Sequence, residues 1–255
     1  MLSVRVVKLG GNELDLPGWL PACASGLRTA GPVVVVHGGG RAVTTLSQRL
    51  GLPVQKRDGV RVTTLEVAAA VEMALAGPVN RQVVAALRAA GLDAVGLSGV
   101  DGGLLAARLA PGGLGHVGEI TEVRAPFLVS LLLAGLTPVV APVAPAAGDV
   151  EGIPLNVNAD HAAAAIAGAL GADELLFVSN VPGVMVEGEA QPSLAASDIE
   201  ALIELGVATD GMAAKLRAAA AALQRGAKAV RIGDLDLLGN PAAGTRILAA
   251  APQLA

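Results

Sequence analysis

Two apolar runs each stop abruptly in glycine: VVKLGG begins at Val6 and VVVVHGGG at Val33. Near-continuous valine and leucine over five or six residues suits a strand covered on both faces, as in a parallel sheet. Four further runs have the same character, so strands are expected at 4–9, 32–36, 94–97, 138–143, 174–179 and 229–232. Between them lie segments with helical patterning at 40–50, 64–90, 126–134, 158–170, 194–204 and 211–225. Strand and helix in alternation predict an α/β fold with helices on both faces of the sheet. Ligands in such folds sit outside the carboxyl ends of the strands, which is where both glycine turns fall.

Two stretches break the alternation. LPVQKRDGVRVTT places Asp58–Gly59 between β-prone runs, and LLAARLAPGGLGHVGEITEV places 111–113 between alternating ones; each predicts a hairpin. A boundary between two lobes, 1–171 and 172–255, is expected near Gly171, where a fresh strand–helix series begins.

Composition excludes several classes of function. The chain is 53% hydrophobic, yet its longest apolar stretches are broken by Gly135 and several prolines, short of the ~20 residues that a spanning helix needs. The start has no signal-peptide order, so a cytoplasmic protein without membrane attachment is expected. A net charge of −4 with no basic run argues against nucleic acid, and 1% aromatic residues leave no stacking platform. The single cysteine, Cys23, reads as a small core residue, and His37, His116 and His161 are too scattered for a metal cluster.

Glycine lets backbone approach a ligand closely, and free N–H groups where a helix begins attract anions. HGGGRAVTTLSQRL is therefore either an anion cradle or a tight strand-to-helix turn. Neither a P-loop nor a dinucleotide fingerprint is present. Lys8 sharpens the choice, because a lysine at the end of an otherwise apolar strand is costly unless it reaches an anion or solvent. Taken alone, Asp160 in NVNADHAAAAIAGAL reads as a helix cap, and Lys215 in TDGMAAKLRAA as an exposed helix lysine.

KLGG, HGGG, RVT, NVNAD and GM-x-x-K in this order resemble the signature of the amino-acid kinase family, most of all its N-acetylglutamate kinases. The resemblance runs from Val7 to about Val230. It implies a three-layer αβα sandwich with a mainly parallel central sheet and two lobes. The activity implied is phosphoryl transfer from ATP, with Mg²⁺ carried by the nucleotide, to the γ-carboxylate of N-acetyl-L-glutamate in arginine biosynthesis. Lys8, Lys215, Asp160 and Gly11 match the catalytic positions, with Asp160 expected to hold both lysines. Gly39, Gly40, Arg61 and Asn156 match the acceptor site. Ser179, Asn180, Val181, Pro182, Gly183 and Val184, with Val207, Ala208 and Thr209, match the nucleotide site. No protein metal ligand is implied.

Asn180 and Asp210 depart from residues common in these kinases, aspartate and glycine. SNVPG also occurs in relatives whose acceptor is aminoadipate or glutamate on a small acidic carrier protein, so that acceptor is the alternative. A non-catalytic amino-acid or nucleotide sensor on the same fold is a second alternative, and a plain α/β binding protein a third. Arginine-regulated members carry a helix before the lysine strand; with Lys8 so near the start, a homodimer without arginine feedback is expected, formed through 64–90.

Overall fold

In the computed structural model, which describes residues 2–57, 59–147 and 152–249, the valines of the second run are all buried and form the strand next to the one carrying Lys8. The elements follow in chain order: β1 (Arg5–Leu9), α1 (Trp19–Leu27), β2 (Val33–His37), α2 (Gly40–Arg49), β3 (Lys56–Arg57), β4 (Val60–Arg61), α3 (Leu65–Ala74), α4 (Asn80–Ala89) and β5 (Ala94–Ser98). Next come β6 (Leu105–Leu109), β7 (Val117–Val123), α5 (Ala125–Leu133), β8 (Thr137–Ala141), β9 (Val143–Pro145), β10 (Pro154–Val157) and α6 (Ala159–Leu170). The last are β11 (Glu174–Val178), β12 (Met185–Val186), β13 (Glu189–Ala190), β14 (Ser193–Ala195), α7 (Ile199–Glu204), α8 (Asp210–Gln224), β15 (Val230–Gly233) and β16 (Thr245–Leu248).

Eight strands form one sheet in the order β14-β16-β15-β11-β1-β2-β8-β5. The six from β15 to β5 are parallel, and β16 pairs antiparallel with β15 at one edge. The mainly parallel α/β sandwich is thus present. Side chains alternate along β1: Val7 and Leu9 enter a core with α1 and α4, while Val4 and Val6 enter the larger core with α5, α6 and α8. Alanines 162–165 and 167 of α6 are buried, and Gly168 lies where a Cβ would strike the Arg225 side chain. Small residues let α6 and α8 lie close together over the centre of the sheet.

Both expected hairpins exist. β3 and β4 pair as a short ribbon, although Asp58 of its turn lies outside the described residues. β6 and β7 pair antiparallel and extend through β10 to β9 as a second, four-stranded sheet.

The structure corrects the sequence reading in several places. The expected 64–90 helix is two helices joined by a π turn, Leu75–Val79, in which Gly77 is non-helical (φ −91°, ψ −113°) and Pro78 has no N–H to donate. The expected 194–204 helix is β14, a 3₁₀ turn and the short α7. Helix α1 was not anticipated; Trp19, Cys23 and Leu27 lie four apart on its buried side. Cys23 is a core residue as expected, and burial pushes its thiol up to about 12.

Candidate active site

The ends of the central strands lie side by side, tied together by their first loop amides. Gly38 N donates to Leu9 O (3.0 Å), Gly10 N to Val178 O (3.0 Å) and Ser179 N to Gly233 O (2.8 Å). This row brings the two glycine turns into contact. A Cβ on Gly11 would overlap Gly39 N and lie 3.0 Å from Gly38 C; one on Gly38 would lie 2.9 Å from Gly11 N. Both positions need glycine because backbone meets backbone there. Leu75 and Val79, on the π turn, brace Gly39 from behind.

Beneath the second turn, His37 is fully buried at the end of β2. Its Nδ1–H donates to Gly38 O (2.8 Å), and its Nε2 accepts from Asn80 Nδ2 (3.1 Å), which also donates to Val139 O (2.9 Å). Burial pushes this imidazole down to about 4, against the hydrogen bond to Gly38 and with help from Lys8, so it is neutral at physiological pH.

Lys8 points from β1 onto the α6 side, where its Nζ meets Asp160 Oδ1 at 2.7 Å; both side chains are under 10% exposed. Asn158, not Asp160, caps α6: its Oδ1 accepts from Asp160 N (2.8 Å) and His161 N (3.3 Å). Asp160 is thereby free to face β1. Burial alone would raise its carboxyl, but Lys8, then Lys215, hold it below the ordinary carboxylate range. Lys215, on the first turns of α8, is depressed by burial and by Lys8, against the pull of Asp160 and Glu13. Asp160 therefore acts on both lysines but, among the described residues, is ion-paired with Lys8 alone, and Glu13 joins the group with no warning from sequence pattern.

Next to this centre is a cavity of about 200 Å³, lined by Gly39, Gly40, Arg61, Asn156 and Asn158, with Lys56 at its rim. Arg61 Nη2 donates to Gly40 O (3.1 Å) and Thr44 Oγ1 (2.8 Å), while its buried Nη1 has no partner among the described residues. A buried guanidinium with one arm unpaired is poised for an incoming carboxylate. Asn156 Nδ2 donates to Thr63 Oγ1 (3.1 Å), which donates to Arg61 O (2.9 Å), so β10 fixes the ribbon that presents Arg61. Thr63 is the last residue of the RVT motif, whereas Thr44 escapes any motif based on charge.

On the other side, Ser179–Val184 leave the end of β11, and 207–209 lead into α8. Val184 and Ala208 are buried, so they can offer a ligand only backbone, whereas Asn180, Pro182 and Thr209 are exposed. Thr245 fastens this turn: Val184 N donates to its Oγ1 (2.8 Å), which donates to Gln191 O (2.6 Å). A larger groove of about 560 Å³ flanks α6 and α8 but contains none of Lys8, Asp160 and Lys215. Among the described residues, no helix is long and apolar enough to cross a membrane.

A model of the amino acid kinase family matches residues 3–234. The chain is 47% identical over 250 residues to the acetylglutamate kinase of Chloroflexus aurantiacus, covering 96% of this chain and 97% of that protein. It is 46% identical over 221 residues to the acetylglutamate kinase of Geobacillus kaustophilus, covering 86% and 84%. Among solved structures, a Streptococcus mutans protein superposes with a TM-score of 0.84 at 32% identity, covering 96% of this chain and 98% of that one. Carbamate kinase from Giardia lamblia superposes at 0.72 with 18% identity, covering 97% and 98%, a likeness of fold alone.

Proposed function

The chain belongs to the amino acid kinase family, and from that premise we propose that it transfers the γ-phosphoryl group of ATP to the γ-carboxylate of N-acetyl-L-glutamate, giving N-acetylglutamyl 5-phosphate and ADP in arginine biosynthesis. The observation that carries this reading is the buried Lys8–Asp160 pair at the meeting point of two glycine turns, with Lys215 in electrostatic reach.

The acceptor carboxylate is ionised near pH 7 and needs no base to activate it. Its oxygen forms the new bond to phosphorus as the bond to the β-phosphate oxygen breaks. The work left to the protein is to hold two anions in line and to offset the charge that spreads over the moving group. Lys8 and Lys215 do this from opposite halves of the molecule. Gly11 and Gly39 add backbone N–H donors, and Asp160 positions the lysines without taking a proton. Arg61 receives the acceptor's α-carboxylate on its unpaired Nη1, with Gly40 and Asn156 beside it. Residues 1–171 form the acceptor half and 172–255 the nucleotide half, with ATP against 179–184 and 207–209. Mg²⁺ arrives with ATP, held mainly by phosphate oxygens and water.

The small cavity favours a free acceptor in the cytoplasm over one presented on a carrier protein. A hydroxamate assay for acyl phosphate, run in parallel with N-acetylglutamate, glutamate, aminoadipate and their carrier-bound forms, tests this. Turnover with N-acetylglutamate alone is expected; turnover only with a carrier-bound acceptor, or none at all, refutes it. The protein forms a homodimer through the α3–α4 region, where Leu65, Ala69 and Met73 make an exposed apolar stripe at four-residue spacing. Sedimentation should give a dimer that Met73→Glu dissociates; a monomer or a hexamer contradicts it.

A further inference from the structure

The loop after β1 carries a carboxylate that the mechanism leaves without a task. Glu13 opens a 3₁₀ turn, yet it is only 6% exposed. Alternation along β1 explains where it goes. Val4, Val6 and Lys8 face α6 and α8, so the next position on that face belongs to Gly10, which continues the strand through its bond to Val178 O. Gly10 has no side chain to fill the position, and Glu13 folds back into it: a Cβ on Gly10 would overlap Glu13 Oε2 and lie 3.3 Å from Oε1. The carboxylate therefore lies one pleat beyond Lys8, on the face that α8 covers.

The centre holds two ammonium groups, Lys8 and Lys215, and two carboxylates, Asp160 and Glu13. Asp160 is engaged by Lys8 at 2.7 Å. Neither Lys215 nor Glu13 has a side-chain ion pair within 4.0 Å among the described residues, but Glu13 acts on Lys215 through its charge. One carboxylate shared by two ammonium groups would leave an uncompensated buried charge; the second makes the resting centre neutral.

We propose that Glu13 is the positioning residue for Lys215, its carboxylate drawing the α8 ammonium towards the Lys8 face of β1. The assignment rests on the kinase reading, in which Lys215 faces the transferring phosphoryl group. Because the two groups are not locked in a close pair, Lys215 can turn to phosphoryl oxygens without first breaking a tight salt bridge. The charge of Glu13 also favours the protonated form of Lys215, as the weaker of the two carboxylates that act on it. Among the described residues, the charged groups that act on Lys215 are Lys8 from β1, Asp160 from α6 and Glu13 from the turn; removing Glu13 leaves burial and Lys8 opposed there by Asp160.

The experiment uses the full chain as Glu13→Gln and Glu13→Asp. Two quantities are read. One is kcat for acyl phosphate formation from pH 6 to about 10, bracketing the lysine range. The other is the titration of the Lys215 ammonium by ¹³Cε-lysine NMR in the ligand-free protein, with its signal assigned as the one missing from Lys215→Arg. In E13Q the Lys215 titration should move to lower pH. The kcat should fall, with a deficit about threefold greater at the alkaline end than at neutrality, and KM for N-acetylglutamate should be unchanged. E13D should recover part of both. An unmoved Lys215 titration overturns the proposal. So does a loss of kcat uniform across pH, which marks a structural role, or a raised Mg²⁺ requirement with Lys215 unmoved, which marks a carboxylate serving the metal. A wild-type chain that makes no acyl phosphate refutes the kinase reading instead, and the NMR titration then still decides the Glu13–Lys215 link.

Discussion

Replacing Gly11 by alanine tests whether contact between the glycine turns sets the geometry of transfer. The added methyl would overlap Gly39 N and lie 3.0 Å and 3.1 Å from Gly38 C and Gly39 Cα, whereas ordinary contact starts at 3.4 Å. All three atoms are backbone, so no side chain can swing aside. The turns must part by roughly 1 Å, and a misplacement of that size in a site built on alignment costs about a hundredfold in rate. Gly39 is itself one of the two proposed backbone donors, and losing one such donor has a similar cost. Gly239, where an added Cβ meets nothing within 4 Å, supplies the control. The hydroxamate assay at saturating substrates, with thermal melts of both variants, reads the outcome. Gly11→Ala should lower kcat about a hundredfold while the protein stays folded, and Gly239→Ala should leave it unchanged. A Gly11→Ala enzyme within threefold of wild type would refute the argument that the missing side chains, by letting the turns meet, set the geometry of transfer.

Arg61→Lys removes the unpaired Nη1 and should raise KM for N-acetylglutamate by about ten- to a hundredfold, the worth of a charged hydrogen bond, with little change in kcat; an unchanged KM would place the α-carboxylate elsewhere. Asp160→Asn leaves Lys8 buried without its counter-charge and should cost about 3–5 kcal/mol in urea denaturation, with loss of activity. The Asp160 carboxyl is held down in the folded protein, so its stabilisation is complete above the unfolded value of 3.8 and is lost as pH falls below it; D160N should lack that part of the acid slope. His37 titrates near 6.5 when unfolded and at about 4 when folded, so the unfolded chain binds the extra proton between those values. Stability should therefore fall by about 3 kcal/mol as pH drops from 6.5 to 4, with His161 adding in the same direction, and His37→Asn should flatten that limb.

The central parallel strands were readable because continuous valine and leucine runs arise where both faces are covered, as in β2. Strand β16, between β15 and the short edge strand β14, escaped that test: Thr245 and Ile247 are buried while Arg246 and Leu248 are exposed, an alternation that marks a half-covered strand. Helix α1 hid behind Pro17, Gly18 and Pro21, although a proline in the first turn costs no helical hydrogen bond. Lys8, Asp160 and Lys215 were legible through the order of their motifs, since lone residues of those types have ordinary surface or capping roles. The split of duties was not legible. That Asn158 caps α6 and frees Asp160 is a matter of side-chain direction, and that Glu13 is buried depends on a neighbour three residues back lacking a side chain.

The strand carrying Lys8 lies between β2, which follows it closely in the chain, and β11, which begins at Glu174. During synthesis this strand has one edge open until residue 174 and beyond have emerged, and Asp160 is made only shortly before that edge is closed. An apolar, valine-rich edge waiting so long is prone to pair with the wrong neighbour. Ribosome-bound chains cut before residue 174 should thus engage holding chaperones, and release should coincide with arrival of β11.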